Sequence, residues 1–212
     1  MSIKIQCDEK EKARLESIWQ YEDLYIEKGY TRIAGIDEAG RGPLAGPVIA
    51  AAVILDRKKV IFGIKDSKKL SEKKREYLYT EIINNALSVG VGIVDESTID
   101  SINIRNATHL AMKKAIESLS LKPDYLLIDA ETLSGVDIPQ SSIIKGDSLS
   151  ISIAAASIIA KVERDKLISS YENIYPGYGF AKHKGYGTKQ HFESIRKYGL
   201  LPIHRKSFTK NI

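Results

Sequence analysis

Cysteine is almost absent. Cys7 stands alone, which excludes an intramolecular disulfide and any cysteine-based zinc cluster and suits a reducing compartment. Long apolar runs are missing as well. No stretch reaches the ~18 consecutive apolar residues of a membrane span, and the opening MSIKIQCDEKEKARLESIWQ lacks the apolar core of a secretion signal. The chain is therefore expected to be cytoplasmic, with no membrane partner. Repeats and low-complexity linkers are lacking too, so 212 residues read as one large unit. A chain of this size buries roughly 70% of its unfolded surface and needs no disulfide or structural metal.

What is present is an uneven positive charge. The net charge is +5, with nine Lys/Arg against Asp66 and Glu72 in residues 57–75, and eight against Glu193 in residues 182–212. Two basic zones flanking a more acidic middle suit a polyanionic partner through counterion release, or are simply solvated surface.

Residues 8–29 have the pattern of an amphipathic helix, with Leu15, Ile18 and Leu24 as apolar positions before Gly29, and are expected to form an appendage. Strand signals follow at Arg32–Ile36, Val48–Leu55, Val60–Ile64 and Val89–Val94, closely enough spaced for an antiparallel meander. Ser71 with Glu72 marks a helix start, with Leu78, Ile82 and Ala86 at helical spacing, and a second helix is expected from about Ile104 to Leu119. Tyr125–Ile128 and Ser142–Ile144 are short apolar runs, Leu149–Val162 suits a buried helix, and Lys189–Tyr198 a further helix. Strands followed by alternating helices and strands predict a mixed α/β sheet covered on both faces.

Three apolar runs lead into acids: Ile33–Ile36 into Asp37 and Glu38, Tyr125–Ile128 into Asp129, and Ile143–Gly146 into Asp147. Carboxylates gathered at one edge of an apolar sheet repel one another unless cations compensate them. An all-oxygen set of this kind suits Mg²⁺ or Mn²⁺, whereas the sequence has no Cys/His spacing for zinc. Two such ions ~4 Å apart can activate water and stabilise the leaving oxygen of a phosphodiester. Taken singly, each acid reads more readily as a turn residue, and Asp147 as a helix cap. Asp37 and Glu38, being consecutive, should face opposite sides of a regular strand.

Gly40-Arg41-Gly42-Pro43-Leu44-Ala45-Gly46-Pro47 follows the first acids. Glycines let backbone approach a phosphate or sugar, and Arg41 adds a charged donor. A dinucleotide fingerprint is excluded because Pro43 and Pro47 lead into a strand, not a helix; a plain tight connection is the remaining alternative. In Lys182–Thr188, bases and glycines interleave with Tyr186, whose ring can lie against a sugar or base or be buried in the loop.

The run from Gly35 to Val48 resembles the opening signature of bacterial ribonuclease HII, and Lys65–Ser71, Leu127–Asp129, Lys145–Asp147, Ala154–Asp165, His183–Tyr186 and His204–Phe208 agree with that family in order. The resemblance implies a ribonuclease H-like fold, a central mixed five-stranded sheet flanked by helices with a helical C-terminal portion. Residues 1–30 would be an N-terminal helical extension and 31–212 the catalytic domain. It implies that Asp37, Glu38, Asp129 and Asp147 hold two Mn²⁺ or Mg²⁺ ions and that Gly40, Arg41 and Gly42 contact the ribonucleotide. Tyr186 would sense the RNA-to-DNA step, and Asp165 would be structural.

The implied substrates are RNA–DNA hybrids and duplex DNA carrying single ribonucleotides, cut on the 5′ side of the ribonucleotide by a monomer, as in removal of misincorporated ribonucleotides. Type 3 relatives carry a sizeable N-terminal domain and a different fourth acid, so the short extension and Asp147 favour type 2. Other readings are a nuclease or transferase of the same fold indifferent to the 2′-hydroxyl, and a non-catalytic nucleic-acid-binding module unaffected by metal.

Overall fold

A computed structural model describes residues 8–210 and 212; Cys7 and the start of the extension lie outside the described residues. The sheet is mixed and five-stranded, in the order β3-β2-β1-β4-β5. β1 (Ile33–Ala39), β2 (Val48–Ile54) and β3 (Ser88–Val94) form the expected antiparallel meander. β4 (Tyr125–Asp129) and β5 (Gln140–Ile143) add on in parallel beyond β1. β2 is buried at every position, which is why VIAAAVI reads as a continuous apolar run.

Helices cover both faces. On one, α3 (Glu72–Asn85) and α6 (Ile151–Ile174) close a core with Val53, Leu78, Ile82 and Ile158; on the other, α4 (Glu96–Glu117) packs Ala107, Ala111 and Met112 against Ile36, Ala52 and Leu126. Small residues set the spacing: a Cβ at Gly35 would collide with the α6 backbone at Ser152 and Ile153, so only glycine lets the helix lie this close to β1. The C-terminal portion is helical, with α7 (Phe180–His183) and α8 (Lys189–Tyr198) around a separate core of Tyr178, Phe180, Ile168 and Ile195.

Several local expectations need correction. Residues 8–29 form two helices, α1 (Glu9–Ile18) and α2 (Gln20–Glu27), broken at Trp19, whose indole is buried beneath Arg57. They are no loose appendage, since Leu15, Ile18 and Trp19 belong to the main core; Leu24, expected inward, is exposed. Val60–Ile64 is not a strand. Both edges of β2 are already paired, so Ile61 and Ile64 anchor a loop in the core, turned at Gly63 with φ +84°. α4 starts well before Ile104, at the Asp95 cap, and kinks at Asn103 (φ 66°), whose side chain recaps the helix at Asn106 N (3.1 Å). Among the described residues no helix is long and apolar enough to cross a membrane.

Candidate active site

Strand register brings the first acids together. β1 and β4 run parallel with Ile36 beside Ile128, so the next residues, Asp37 and Asp129, arrive at the same end of adjacent strands. Asp147 comes by another route. The chain leaves β5, turns at Lys145 in the left-handed region (φ 59°), and enters the short helix α5 (Gly146–Leu149). Gly146 N–H donates to Asp129 Oδ1 at 2.7 Å and fixes that turn against β4. Asp147 therefore caps nothing; the N-cap of α6 is Ser150, which accepts from Ile153 N. Asp37 and Glu38 both lie within β1 pairing, yet Asp129 at the strand end acts on both carboxyls.

Electrostatics mark this edge. Burial pushes the Asp37 carboxyl well above the usual carboxylate range, with Glu38 and Asp129 adding repulsion. Glu38 is raised by burial, against the pull of Arg41 (3.5 Å), and Asp147 by burial and by its neighbours Asp66 and Asp129. Two further participants come from the Lys65–Ser71 segment, to which the sequence reading gave no site role. Asp66 is buried beside Asp147, and Lys68 faces Asp37, Asp147, Asp66 and Asp129. Burial alone would lower the Lys68 ammonium, and these carboxylates together raise it.

The donor set fits hard divalent cations, being all oxygen, crowded and short of positive charge. Among the described residues no three His, Cys, Asp or Glu side chains are gathered into a finished ion cage. The acids line an open edge on which cations would complete the charge balance.

The glycine loop lies beside this edge. Gly40 has φ +98°, and a Cβ there would meet the Arg164 side chain, so its glycine is demanded by the fold. Gly42 differs: its φ is ordinary and a Cβ would meet nothing within 4 Å. Nothing in the fold requires glycine there. Arg41 is exposed and pairs with Glu131 at 3.2 Å as well as with Glu38. Burial would raise Glu131, but His109, Arg41 and Arg105 hold it below the usual range.

Two arginines are buried here, Arg205 from the second basic zone and Arg164 from α6. Arg205 donates to the carbonyls of Gly40 (2.6 Å), Arg41 (2.9 Å), Gly46 (2.7 Å) and Pro47 (3.2 Å). Arg164 donates to Pro47, Ala45 and Lys184 at 3.0–3.1 Å. The second arginine thus ties the glycine loop to the loop of Tyr186, as does Leu44 N–H to Gly185 O (2.9 Å). Tyr186 is 42% exposed and not buried, with Lys161 Nζ and Arg164 Cζ each 5.8 Å from its ring centroid. Asp165 pairs with Lys161 at 2.7 Å along α6.

A ribonuclease HII profile matches residues 34–211, the whole sheet with its glycine loop and helical tail. The chain belongs to the ribonuclease HII family. Ribonuclease HII of Clostridioides difficile (strain 630) is 58% identical over 212 residues, covering 100% of this chain and 83% of that protein. That of Caldicellulosiruptor saccharolyticus is 55% identical over 197 residues, 93% of this chain and 96% of its own. Among solved structures, ribonuclease H2 from Pyrococcus horikoshii OT3 superposes with a TM-score of 0.72 at 28% identity, covering 84% of this chain and 94% of that one. Bst-RNase HIII in complex with Mn²⁺ shares the fold, with a TM-score of 0.63 at 19% identity over 93% of this chain and 69% of its own. As a ribonuclease HII, the chain is a metal-dependent endoribonuclease with a ribonuclease H-like fold.

Proposed function

We propose that this ribonuclease HII cuts RNA–DNA hybrids and duplex DNA containing single ribonucleotides, on the 5′ side of the ribonucleotide, as a step in ribonucleotide removal. Asp37, Glu38, Asp129 and Asp147 would hold two divalent cations, Mn²⁺ or Mg²⁺. The observation that carries this reading is the crowding of those acids at one sheet edge, where Arg41 and Lys68 offset only part of their repulsion. The family membership and the Mn²⁺ named in a fold relative support it.

Bound cations would supply a water of lowered pKa and charge neutralisation at the phosphate. The residues do the rest. Water adds to phosphorus, the P–O3′ bond breaks, and the proton ends on the departing 3′ oxygen. A cut on the 5′ side leaves the ribonucleotide with a 5′-phosphate, so its 2′-hydroxyl takes no part in bond breaking and must be recognised. Gly42, with open space at its Cα, lets the sugar approach backbone, and exposed Arg41 offers donors beside it. Tyr186 would lie flat on the following deoxyribose, where a ribose hydroxyl would clash.

In a test on a duplex with one embedded ribonucleotide, chelated enzyme is expected to be inactive, and Mn²⁺ or Mg²⁺ to restore a single cut 5′ to the ribonucleotide. Activity surviving thorough chelation, or cutting indifferent to the 2′-hydroxyl, would overturn the reading. Gly42→Ala adds only a methyl in open space, so its stability should change by less than ~0.5 kcal/mol while cleavage falls about tenfold or more. Full activity in that variant would remove the backbone approach from the mechanism.

A further inference from the structure

Tyr186 sits between two glycines, Gly185 and Gly187, on an exposed loop, yet its backbone is tied from below. Three buried histidines lie there. The rings of His183 and His191 stack with centroids 4.3 Å apart, and the Nε2 atoms of His191 and His204 are 3.0 Å apart. Backbone groups at the outer ends fix every proton, because a backbone N–H only donates and a carbonyl only accepts. His204 Nδ1 accepts from Leu201 N–H at 2.8 Å, so its proton is on Nε2. His191 Nδ1 is 3.0 Å from the Tyr186 carbonyl oxygen, so its proton is on Nδ1 and Nε2 is left to accept.

These two assignments come from opposite ends and agree where they meet: His204 Nε2–H donates to His191 Nε2. His183 has its own fixed tautomer, with Nδ1 accepting from Gly185 N–H (3.1 Å) and Nε2–H donating to Tyr178 O (2.8 Å). The result is an unbroken chain from Leu201 through His204 and His191 to Tyr186. His204 also bridges to Ala45 in the glycine loop, so the relay joins the loop of Arg41 to the residue above it.

We propose that His191 is a positioning residue for Tyr186, its Nδ1–H holding the Tyr186 carbonyl, and thereby the ring, at a fixed height above the glycine loop, with His204 enforcing the tautomer. This role rests on the junction-sensing function proposed for Tyr186. Burial lowers all three imidazoles, His191 to about 4, so the neutral forms that the chain of bonds requires persist at neutral pH. A proton on His191 Nε2 would face the Nε2–H of His204 and break the relay.

His191→Asn and His191→Phe separate positioning from packing. The Asn amide can donate to the Tyr186 carbonyl from the place of Nδ1 but has no ring, while Phe keeps the stack on His183 and has no donor. The readout is the ratio of cleavage rates on a single-ribonucleotide duplex and an all-RNA hybrid, with melting temperature measured alongside and Tyr186→Ala as reference. Positioning predicts that Asn keeps the ratio within about twofold while Phe loses roughly tenfold, approaching Tyr186→Ala, whichever variant melts higher. A packing role predicts the reverse order, and a parental ratio in a folded Phe variant beside a collapsed one in Tyr186→Ala overturns the relay alone. An unchanged ratio in Tyr186→Ala overturns the junction reading itself and the relay's purpose with it. Imidazole ¹⁵N NMR of the unaltered protein needs no variant to fold. It should give Nδ1–H for His191 and Nε2–H for His183 and His204, and an Nε2–H tautomer at His191 would refute the proposal.

Discussion

Asp37→Asn should abolish cleavage and, in chelator, melt higher than the parent. Both effects come from one carboxyl. Its buried charge is opposed by desolvation and by Glu38 and Asp129, so the folded state holds that proton more tightly than the unfolded chain does. The sign follows from linkage: a carboxyl whose folded pKa is raised weakens the fold as pH climbs from the unfolded value, near 4, through the folded one. The Asn variant escapes that loss, and its amide oxygen can still accept from Glu38 N–H, as Asp37 Oδ1 does at 2.7 Å. Every tenfold by which the folded state holds the proton more tightly corresponds to ~1.4 kcal/mol, which for a chain of this length is roughly 3–6 °C in melting temperature.

The advantage should be small near pH 4, grow toward pH 8, and reverse when Mn²⁺ is added, because cations that bind only the folded parent stabilise it by mass action. Loss of one acid from the proposed two-ion site should cost at least ~10³-fold in rate, about 4 kcal/mol of barrier. Melting curves in EDTA and in Mn²⁺ across this pH range, with single-turnover cleavage, check all of it. A variant less stable than the parent in EDTA at pH 8 would show that the acid edge is not under charge strain.

How much of this was legible in the sequence depended on the kind of signal. Asp37 and Asp129 stood out because each ends an apolar run, and parallel pairing of the two runs carries both acids to one end of the sheet. Asp147 also followed an apolar run, but Ile144 proved exposed and a left-handed turn at Lys145 did the placing. Asp66 and Lys68 did not end an apolar strand; Asp66 caps the 3₁₀ turn Ser67–Lys69 that holds Lys68, within the Lys65–Ser71 segment that matched the family, and their place beside the acids comes from long-range packing. Val60–Ile64 misled for a related reason. An apolar run records burial, and whether a strand edge is free to pair with it is not written locally. The early start of α4 was readable at Asp95, whose carboxylate caps Thr98 N at 2.8 Å, whereas the kink at Asn103 is a tertiary outcome. Glu22 is the sharpest omission. In a helix that looked peripheral, its buried carboxyl accepts from Ser150 Oγ (2.5 Å) and Ser152 N (2.9 Å), tying the N-terminal helices to the start of α6, just beyond Asp147.

The last expected result sets two arginines of one loop system against each other. Arg205→Ala should destabilise the protein by roughly 3–5 kcal/mol, whereas Arg41→Ala should change stability by less than ~0.5 kcal/mol and lower activity by about tenfold or more. Composition cannot tell them apart, since each is one more arginine in a basic chain. Their surroundings can. Arg205 is fully buried, and its guanidinium, pushed down to about 10 by burial and by Arg164, serves four loop carbonyls that have no strand partner across that turn. Removing it strands the Gly40 and Gly46 carbonyls, while Pro47 keeps its bond from Arg164, and leaves a cavity under the Gly40 turn. Lysine, with one ammonium, cannot span the same carbonyls, so Arg205→Lys should recover only a minor part of the loss. Arg41 is exposed, and its partners Glu38 and Glu131 are acids that a phosphate or a cation would compete with. Its pairs join an exposed guanidinium to two largely buried acids at 3.2–3.5 Å, and the exposed end keeps them weak, which leaves the side chain free to turn toward substrate. Denaturant midpoints and single-turnover rates for the three variants decide the matter. Equal stability losses in Arg205→Ala and Arg41→Ala would return both arginines to a common structural role and take the exposed donor out of the site.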